Sequence, residues 1–321
     1  MFRSPFWRDD SFKAGGARRV AACWLVALAA FGLGVLPTRA QTADPPKAKT
    51  ANSKATKSQT KKAVAAPAVS ASAAPEAPKA DDTDSLRKAA QNPIANLISV
   101  PLQNNTNFDV GPYHRPQNVL NFQPVIPIHI TEDWNLITRW ITPVIYQPRL
   151  SPTEGAEFGL GNLSPAFFLS PANSGEIIWG VGAQTWLPTA TDKTLGVNKW
   201  GAGPAAVALT MQGQWVYGAL VNNVWAGTAN QRVNTLTLQP FVNYNLPKGW
   251  YLTSSPILTS NWLADSGDRW TVPVGGGFGR LFKVDKLPIN MQLQAFYNVV
   301  RPTNAPSWTL RFQIQALFPT I

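Results

Sequence analysis

The 321 residues carry a formal net charge of +11 and 45% hydrophobic side chains but only 14% charged ones, with 13 tryptophans, 28 prolines and one cysteine. Only +2 of the charge falls on residues 81–321, so the basic balance belongs to the N-terminal segments, and no basic stripe there points to nucleic acid. The single cysteine, Cys23, excludes an internal disulfide, and removal of the leader that holds it would also exclude thiol catalysis and thiolate metal sites.

In residues 1–40, Arg18 and Arg19 precede an apolar run over 20–36, and Thr38, Arg39 and Ala40 form a small-x-small site before Gln41. The pattern predicts a cleaved signal peptide for general secretion. Cys23 precedes most of the apolar stretch instead of following it, which argues against lipidation. Residues 41–80 are rich in Ala, Lys, Thr, Pro and Ser and hold no aromatic residue. Such a composition buries too little apolar area to offset ordering, so a disordered tail is predicted. Its seven lysines suit contact with an anionic envelope polymer, a solvated tether being the plainer reading. In residues 81–96, Leu86, Ala90 and Ile94 recur at helical spacing, as does Leu97 just beyond, and Pro93 interrupts the run. The spacing predicts a short helix and leaves open whether it plugs a lumen or lies on a periplasmic rim.

From residue 97 onward the period changes to two. The last segment is the clearest: Trp308, Leu310, Phe312, Ile314, Ala316 and Phe318 alternate with Thr309, Arg311, Gln313, Gln315 and Leu317. One strand face is apolar and the other largely polar. Turn residues divide 97–321 into twelve strands, near 97–110, 116–130, 133–147, 158–170, 176–188, 200–213, 214–227, 233–246, 249–263, 269–282, 288–301 and 307–318. The aromatic pairs Trp134 and Tyr146, Trp215 and Trp225, Trp250 and Trp262, and Trp308 and Phe318 are separated by even numbers of residues, which places both members on one face. At roughly 3.3 Å per residue and about 40° of tilt, ten to twelve residues climb roughly 25–30 Å, the height of a bilayer's apolar band with an aromatic girdle at each border. The predicted fold is all-β, an antiparallel transmembrane β-barrel of about twelve strands. An even strand count and an alternation of short and longer connections place both termini in the periplasm of an outer-membrane protein. Outer-membrane lipid, and the barrel-assembly machinery during insertion, are then its expected partners.

Pro124, Pro127, Pro143, Pro240, Pro256 and Pro273 fall inside these strands, so bulges or breaks are required, above all over 118–130 and 252–258. The connections at 131–133, 213–214 and 247–248 read as tight, and those at 147–157, 188–199 and 227–232 as longer. Alternation turns Asn121, Gln123, His129, Asn290, Gln292, Gln294, Arg311, Gln313 and Gln315 inward. Arg139 joins them, because a cation facing mid-bilayer lipid costs about 2–4 kcal/mol. An amide-rich interior with scattered arginines suits either a narrow wet pore for neutral or weakly anionic solutes or a hydrogen-bonded network that closes the barrel.

No catalytic motif emerges. His114 and His129 have no neighbouring Ser or carboxylate at triad or metal spacing, and Gly275, Gly276, Gly277 and Gly279 lack the Lys-Ser/Thr of a phosphate loop. The expectation is no enzyme, no cofactor and no metal; an embedded lipid hydrolase, assembled from distant strands, is the enzymatic alternative.

The segments from Gln91 to Pro101 (QNPIANLISVP), Gln103 to Phe108 (QNNTNF), Gln117 to Asn121 (QNVLN), Gln123 to Pro127 (QPVIP) and Asp133 to Arg139 (DWNLITR) resemble a group of Gram-negative outer-membrane proteins. That group is associated with the meta-pathway of phenol degradation, and some of its members carry the misleading label neuromedin U. The resemblance spans roughly residues 85–321 and transfers no functional residue. It implies an outer-membrane barrel and passive, porin-like transport of small solutes, aromatic ones included, with the solute itself unspecified. A closed structural barrel that contacts envelope partners is the alternative from another class.

Overall fold

Fifteen β-segments follow one helix in the computed structural model, which describes residues 83–228 and 231–318. The export signal expected over 1–40 and the tail expected over 41–80 lie outside the described residues. Helix α1 spans Thr83–Gln91, with Asp84 in its first turn and Lys88 in its last, each sign matching the helix dipole. It stops because Pro93 disfavours a helical residue before it, and Asn92 Oδ1 then accepts the Ile94 N–H at 2.9 Å.

The strands are β1 (Ile98–Val110), β2 (Arg115–Phe122), β3 (Val125–His129), β4 (Trp134–Gln147), β5 (Glu157–Leu160), β6 (Ser164–Pro171), β7 (Ile177–Trp186), β8 (Gly201–Gln212), β9 (Trp215–Thr228), β10 (Gln231–Asn245), β11 (Trp250–Ser254), β12 (Leu258–Asn261), β13 (Trp270–Val284), β14 (Leu287–Val300) and β15 (Trp308–Phe318). Three pairs, β2 with β3, β5 with β6 and β11 with β12, are interrupted single strands, because both members of each pair bond the same neighbours or continue one course. Twelve antiparallel barrel strands result, closed by β1 on β15 and by β9 on β10.

Closure removes every sheet edge, so each proline must be accommodated inside the wall. Pro127, Pro143 and Pro240 keep their register, facing Ile137, Asn121 and Ala219. In an antiparallel ladder a residue bonds only one neighbour, so each forfeits one bond on one side. Pro273 sits at a bulge after Val272, while Pro124 and Pro256 fall in the two gaps. The strands read as continuous over 116–130, 158–170 and 249–263 are therefore each broken, the middle one at Gly161 and Asn162. The connection read as long over 227–232 is instead largely strand, since β9 and β10 pair on through Gly227 and Arg232. Backbone pairing beyond the apolar band does not depend on side-chain polarity, so the polar composition of 227–232 concealed it.

Strand direction sorts the connections. Helix α1, the last residues of β15 and the connections 130–133, 172–176, 213–214, 246–249 and 285–286 lie at one end. The longer connections 148–156, 187–200, 262–269 and 301–307 lie at the other. Two of the long ones are joined by Lys193 and Glu154 at 2.9 Å, and 187–200 folds back on β5, where Thr191 N–H donates to Leu160 O at 3.0 Å.

Connections 262–269 and 301–307 are clasped by Asp268, whose carboxylate accepts the Thr303 N–H at 2.7 Å and the Thr303 hydroxyl at 3.0 Å. The backbone bond first, then the hydroxyl, holds this carboxyl below the usual carboxylate range. Depression by folding means the clasp is at full strength above the unfolded value of about 3.9 and is lost as the pH falls through the lower folded value. Hydrogen exchange at the Thr303 amide is expected to accelerate in that acid window, and in Asp268→Asn to lose its carboxyl-linked pH dependence. Exchange that stays flat in the native chain down to pH 2 would contradict the clasp.

Candidate functional site: the barrel lumen

Leu102, Leu120, Phe122, Ile126, Ile128, Leu252, Leu293, Leu310 and Phe312 are exposed on the outer face, whereas Ser99, Gln103, Gln123, Asn290, Gln294, Arg311 and Gln315 on alternate positions are buried inside. Each end of the outer band carries rings. Trp134, Trp215, Trp250 and Phe318 lie at the helix end; Tyr146, Trp225, Trp262 and Trp308 lie at the far end. Several meet neighbouring rings: Phe108 stacks on Trp308 at 3.8 Å, Trp215 lies tilted against Tyr244 at 4.7 Å and Trp262 meets Trp270 edge-on at 5.6 Å.

The interior is two-sided. Over β3 to β10, Val125, Ile137, Ala166, Phe168, Val207, Leu209, Val216 and Leu220 turn inward and form one buried apolar cluster, with Phe241 against it. Over β14, β15 and β1 most inward positions are amides and hydroxyls, while β13 turns Gly275, Gly277 and Gly279 inward. Tyr251 donates to Asn290 Oδ1 at 2.7 Å, Asn290 donates to Gln315 Oε1 at 3.1 Å, and Gln294 donates to Gln292 Oε1 at 2.8 Å. The network satisfies most of its own polar groups, which fixes the wall without carboxylates.

The N-terminal segment enters the mouth between these walls. Leu86 and Leu97 pack on Leu281 and Leu317, so Leu317, which shares the polar face of β15, is dry because the helix covers it. Ile94, 4% exposed, joins the apolar cluster inside the barrel. Buried Arg87 donates to Leu246 O at 2.6 Å and to Trp250 O at 3.2 Å, taking up carbonyls at the turn before β11, and pairs with Asp84 at 3.0 Å. Gln91 donates to Asn245 Oδ1 at 2.9 Å.

Beneath the segment lies a cavity of about 140 Å³, bordered by Ala90 to Pro93 and by residues of eight barrel strands. It is large enough for water but well below the roughly 300–1,000 Å³ of a small-molecule pocket. Of the residues assigned inward by alternation, Gln123, Arg139, Asn290, Gln292, Gln313 and Gln315 border it. Gln294 and Arg311 lie in the wall behind, and Asn121 is half-buried opposite Gln103. His129 is exposed at the end of β3, its ring 3.4 Å from Asn96 Nδ2. Sequence reasoning missed Gln239, Asn243, Tyr251, Thr253 and Ser255. The same alternation would have found all five, Tyr251, Thr253 and Ser255 being successive alternate positions.

Arg139 Nη2 donates to Gln123 Oε1 at 2.6 Å. Arg311 donates through Nε to Asn105 Oδ1 at 3.0 Å and through Nη1 to Ser255 O at 2.8 Å, and lies 4.8 Å from the Phe296 ring centre. Neutral oxygens thus hold both guanidiniums. His114 stands in the turn after β1 and His129 at the end of β3, opposite ends of one barrel strand, so the two imidazoles do not share a site.

A closed twelve-stranded cylinder, apolar outside between two sets of rings and amide-lined within, is a transmembrane β-barrel. Among solved structures, the chain is similar to an outer membrane channel from Pseudomonas putida F1, at 18% identity and TM-score 0.54 over 69% of this chain and 95% of that one. Outer membrane phospholipase A from Escherichia coli aligns at 12% identity and TM-score 0.37, covering 69% and 95%, and the Salmonella typhi outer membrane phospholipase at 12% and 0.36, covering 69% and 90%. The channel shares the fold; the two phospholipase alignments are too loose to bear on it. No protein-family model matches the chain, and no protein of curated function does either.

Proposed function

We propose that this protein is an outer-membrane channel for passive passage of small neutral or weakly anionic solutes, aromatic ones among them. The observation that carries the reading is the lumen: water-sized space bordered by amides and one arginine, inside a cylinder whose outer face suits lipid. The fold shared with the Pseudomonas putida channel supports it, and so does the resemblance to the outer-membrane group associated with phenol degradation. With both barrel ends on the side of the short connections, that side is the periplasmic one, reached after export by the signal at 1–40 and tethered by the tail at 41–80. Refolded protein in a planar bilayer is expected to give discrete openings in KCl. No openings, with or without residues 41–96, would defeat the proposal.

Arg139 sets the charge preference. No carboxylate borders the cavity with it, so a guanidinium there favours anions entering a low-dielectric passage. In a KCl gradient the reversal potential is expected on the anion-selective side and to move toward zero in Arg139→Gln. An unchanged potential in that variant would remove Arg139 from the ion path.

A closed structural barrel is the second reading, favoured by the N-terminal segment packed in one mouth. It predicts that deleting 83–96 leaves the membrane impermeant.

A further inference from the structure

On β1 and β2 the outward face carries polar side chains inside the apolar band. Asn104 stands opposite Phe312 and Leu120, Thr106 opposite Leu310 and Asn118, and Asn118 opposite Tyr146. Residues directly opposite in a sheet share a face, so all three polar side chains point outward with those rings and leucines. Phe108, further along β1, stacks on Trp308 of the far girdle. Asn104 precedes it by four residues, which puts the amide about 10 Å below the ring level at the tilt of such a strand.

The three bond one another and leave a remainder. Asn104 Nδ2 donates to Asn118 Oδ1 at 2.9 Å, and Asn118 Nδ2 donates to Asn104 Oδ1 at 3.0 Å and to Thr106 Oγ1 at 3.2 Å. The Thr106 hydroxyl donates to Asn104 Oδ1 at 3.3 Å. A side-chain amide has two N–H donors and an oxygen with two lone pairs. Asn118 has used both donors and Asn104 one, so an N–H of Asn104 and a lone pair of Asn118 Oδ1 remain. In hydrocarbon, where no water is at hand, a ligand that offers one donor and one acceptor removes the cost of leaving them unpaired.

Two cations crown the same strands. Arg115, at the start of β2, and Arg149, in the connection after β4, hold their guanidinium carbons 5.9 Å and 5.4 Å from one ring centre, that of exposed Tyr113. The connection rests on the turn, since a Cβ on Gly111 would stand 2.6 Å from Leu150 Cδ2. Arg149 Nε donates to Ser151 O at 2.9 Å, which leaves its terminal nitrogens for an anion. Asp109, at the end of β1, accepts the Ser307 hydroxyl, and Glu154, in the connection, pairs with Lys193. Among the described residues neither guanidinium is paired with a carboxylate. Two guanidiniums on one ring without a counter-charge suit a phosphate.

We propose that the outer wall of β1, β2 and β4 binds one lipid, a glycolipid with phosphate on its sugar and hydroxylated acyl chains joined through amides. Its phosphate accepts from Arg115 and Arg149 at the border, its acyl amide and hydroxyl meet Asn104 and Asn118 below, and its chains lie on exposed Leu102, Leu120 and Phe122. A glycerophospholipid offers the phosphate but carries esters in place of amides, so its ester groups give Asn118 Oδ1 no donor. The site faces the outer leaflet in the orientation proposed above, and it lies outside the lumen.

Native mass spectrometry of the refolded full chain in detergent tests it, with bis-phosphorylated lipid A, its dephosphorylated form and phosphatidylglycerol as probes. The wild type is expected to retain one bis-phosphorylated lipid A at least tenfold more tightly than phosphatidylglycerol. Arg115→Gln with Arg149→Gln is expected to lower that affinity at least tenfold and to leave binding of the dephosphorylated form unchanged. Asn104→Leu, Thr106→Val and Asn118→Leu together remove the polar cluster and orphan no member of it. That triple variant is expected to lose about tenfold for both lipid A forms and nothing for phosphatidylglycerol, heat-modifiable gel mobility confirming that each variant folds. A wild type that holds phosphatidylglycerol as tightly as lipid A, or variants that hold lipid A as the wild type does, overturn the site. A wild-type dimer that the triple variant loses, with no lipid retained, overturns it in favour of a second copy on this face. The lipid result stands whether or not the barrel conducts, so it is judged apart from the channel reading.

Discussion

Ile94→Ala is expected to raise the open fraction of the channel by at least tenfold. Among the described residues of the N-terminal segment, Ile94 is the buried member of the apolar cluster within the barrel, which also holds Val125, Phe168, Val207 and Leu220. Truncating a buried Ile to Ala costs about 2–5 kcal/mol, and each 1.4 kcal/mol is a factor of ten in a population. Little of that cost falls on the barrel, whose ladder closes without the segment. It falls on the docked position. Arg87→Gln acts at the other anchor, removing a guanidinium that serves two carbonyls and Asp84; charged hydrogen bonds of this kind contribute about 1.5–3 kcal/mol each. Deletion of 83–96 sets the ceiling that both substitutions approach. Single-channel recording of the four forms checks the order, wild type below Arg87→Gln and Ile94→Ala, and those below the deletion. A deletion that conducts like the wild type would show that the segment does not obstruct the path.

The architecture was legible because the bilayer imposes a strict code. Alternation in 287–300 and 308–318 runs through Leu293, Gln294, Phe312 and Gln313, with Phe296 and Leu317 the apolar lapses on the inner face, since lipid on one side and water on the other penalise a slip in register. Strand ends were legible for the same reason, as Trp215, Trp250 and Trp308 mark the borders of the apolar band. What alternation conveys is parity, and parity does not distinguish a side chain facing open lumen from one facing a plug. Leu317 reads as a lapse in a polar face until α1 covers it. The apolar half of the interior was obscured similarly: Ala205, Val207 and Leu209 alternate with Ala206 and Ala208, so neither face declares itself. Prolines announced that the wall must break, but Pro124 and Pro256 look equivalent in sequence. Only the partners separate a bonded kink from a gap: Gln123 N–H donates to Pro101 O on β1, whereas Ser255 N–H donates to the Gln294 side chain.

Leu293→Arg and Gln292→Arg, adjacent substitutions on β14, are expected to diverge sharply. Leu293 pairs with Phe312 near the middle of both strands and is exposed on the outer face. A guanidinium there meets hydrocarbon at a cost of about 2–4 kcal/mol if it lies at the bilayer midplane, with stem snorkelling offsetting part of it. Gln292 borders the lumen cavity, where water and the oxygens of Gln294 and Gln313 are at hand, so an arginine there remains solvated. The first variant is expected to lower the urea midpoint of unfolding in lipid vesicles; the second is expected to hold it and to shift the reversal potential further toward anions, adding to Arg139. The same pair in a water-soluble sandwich would behave oppositely, because an outer-face arginine is harmless in water and an inner one is not. Equal tolerance of both, or a larger loss from Gln292→Arg, would therefore overturn the assignment of the outer face to lipid.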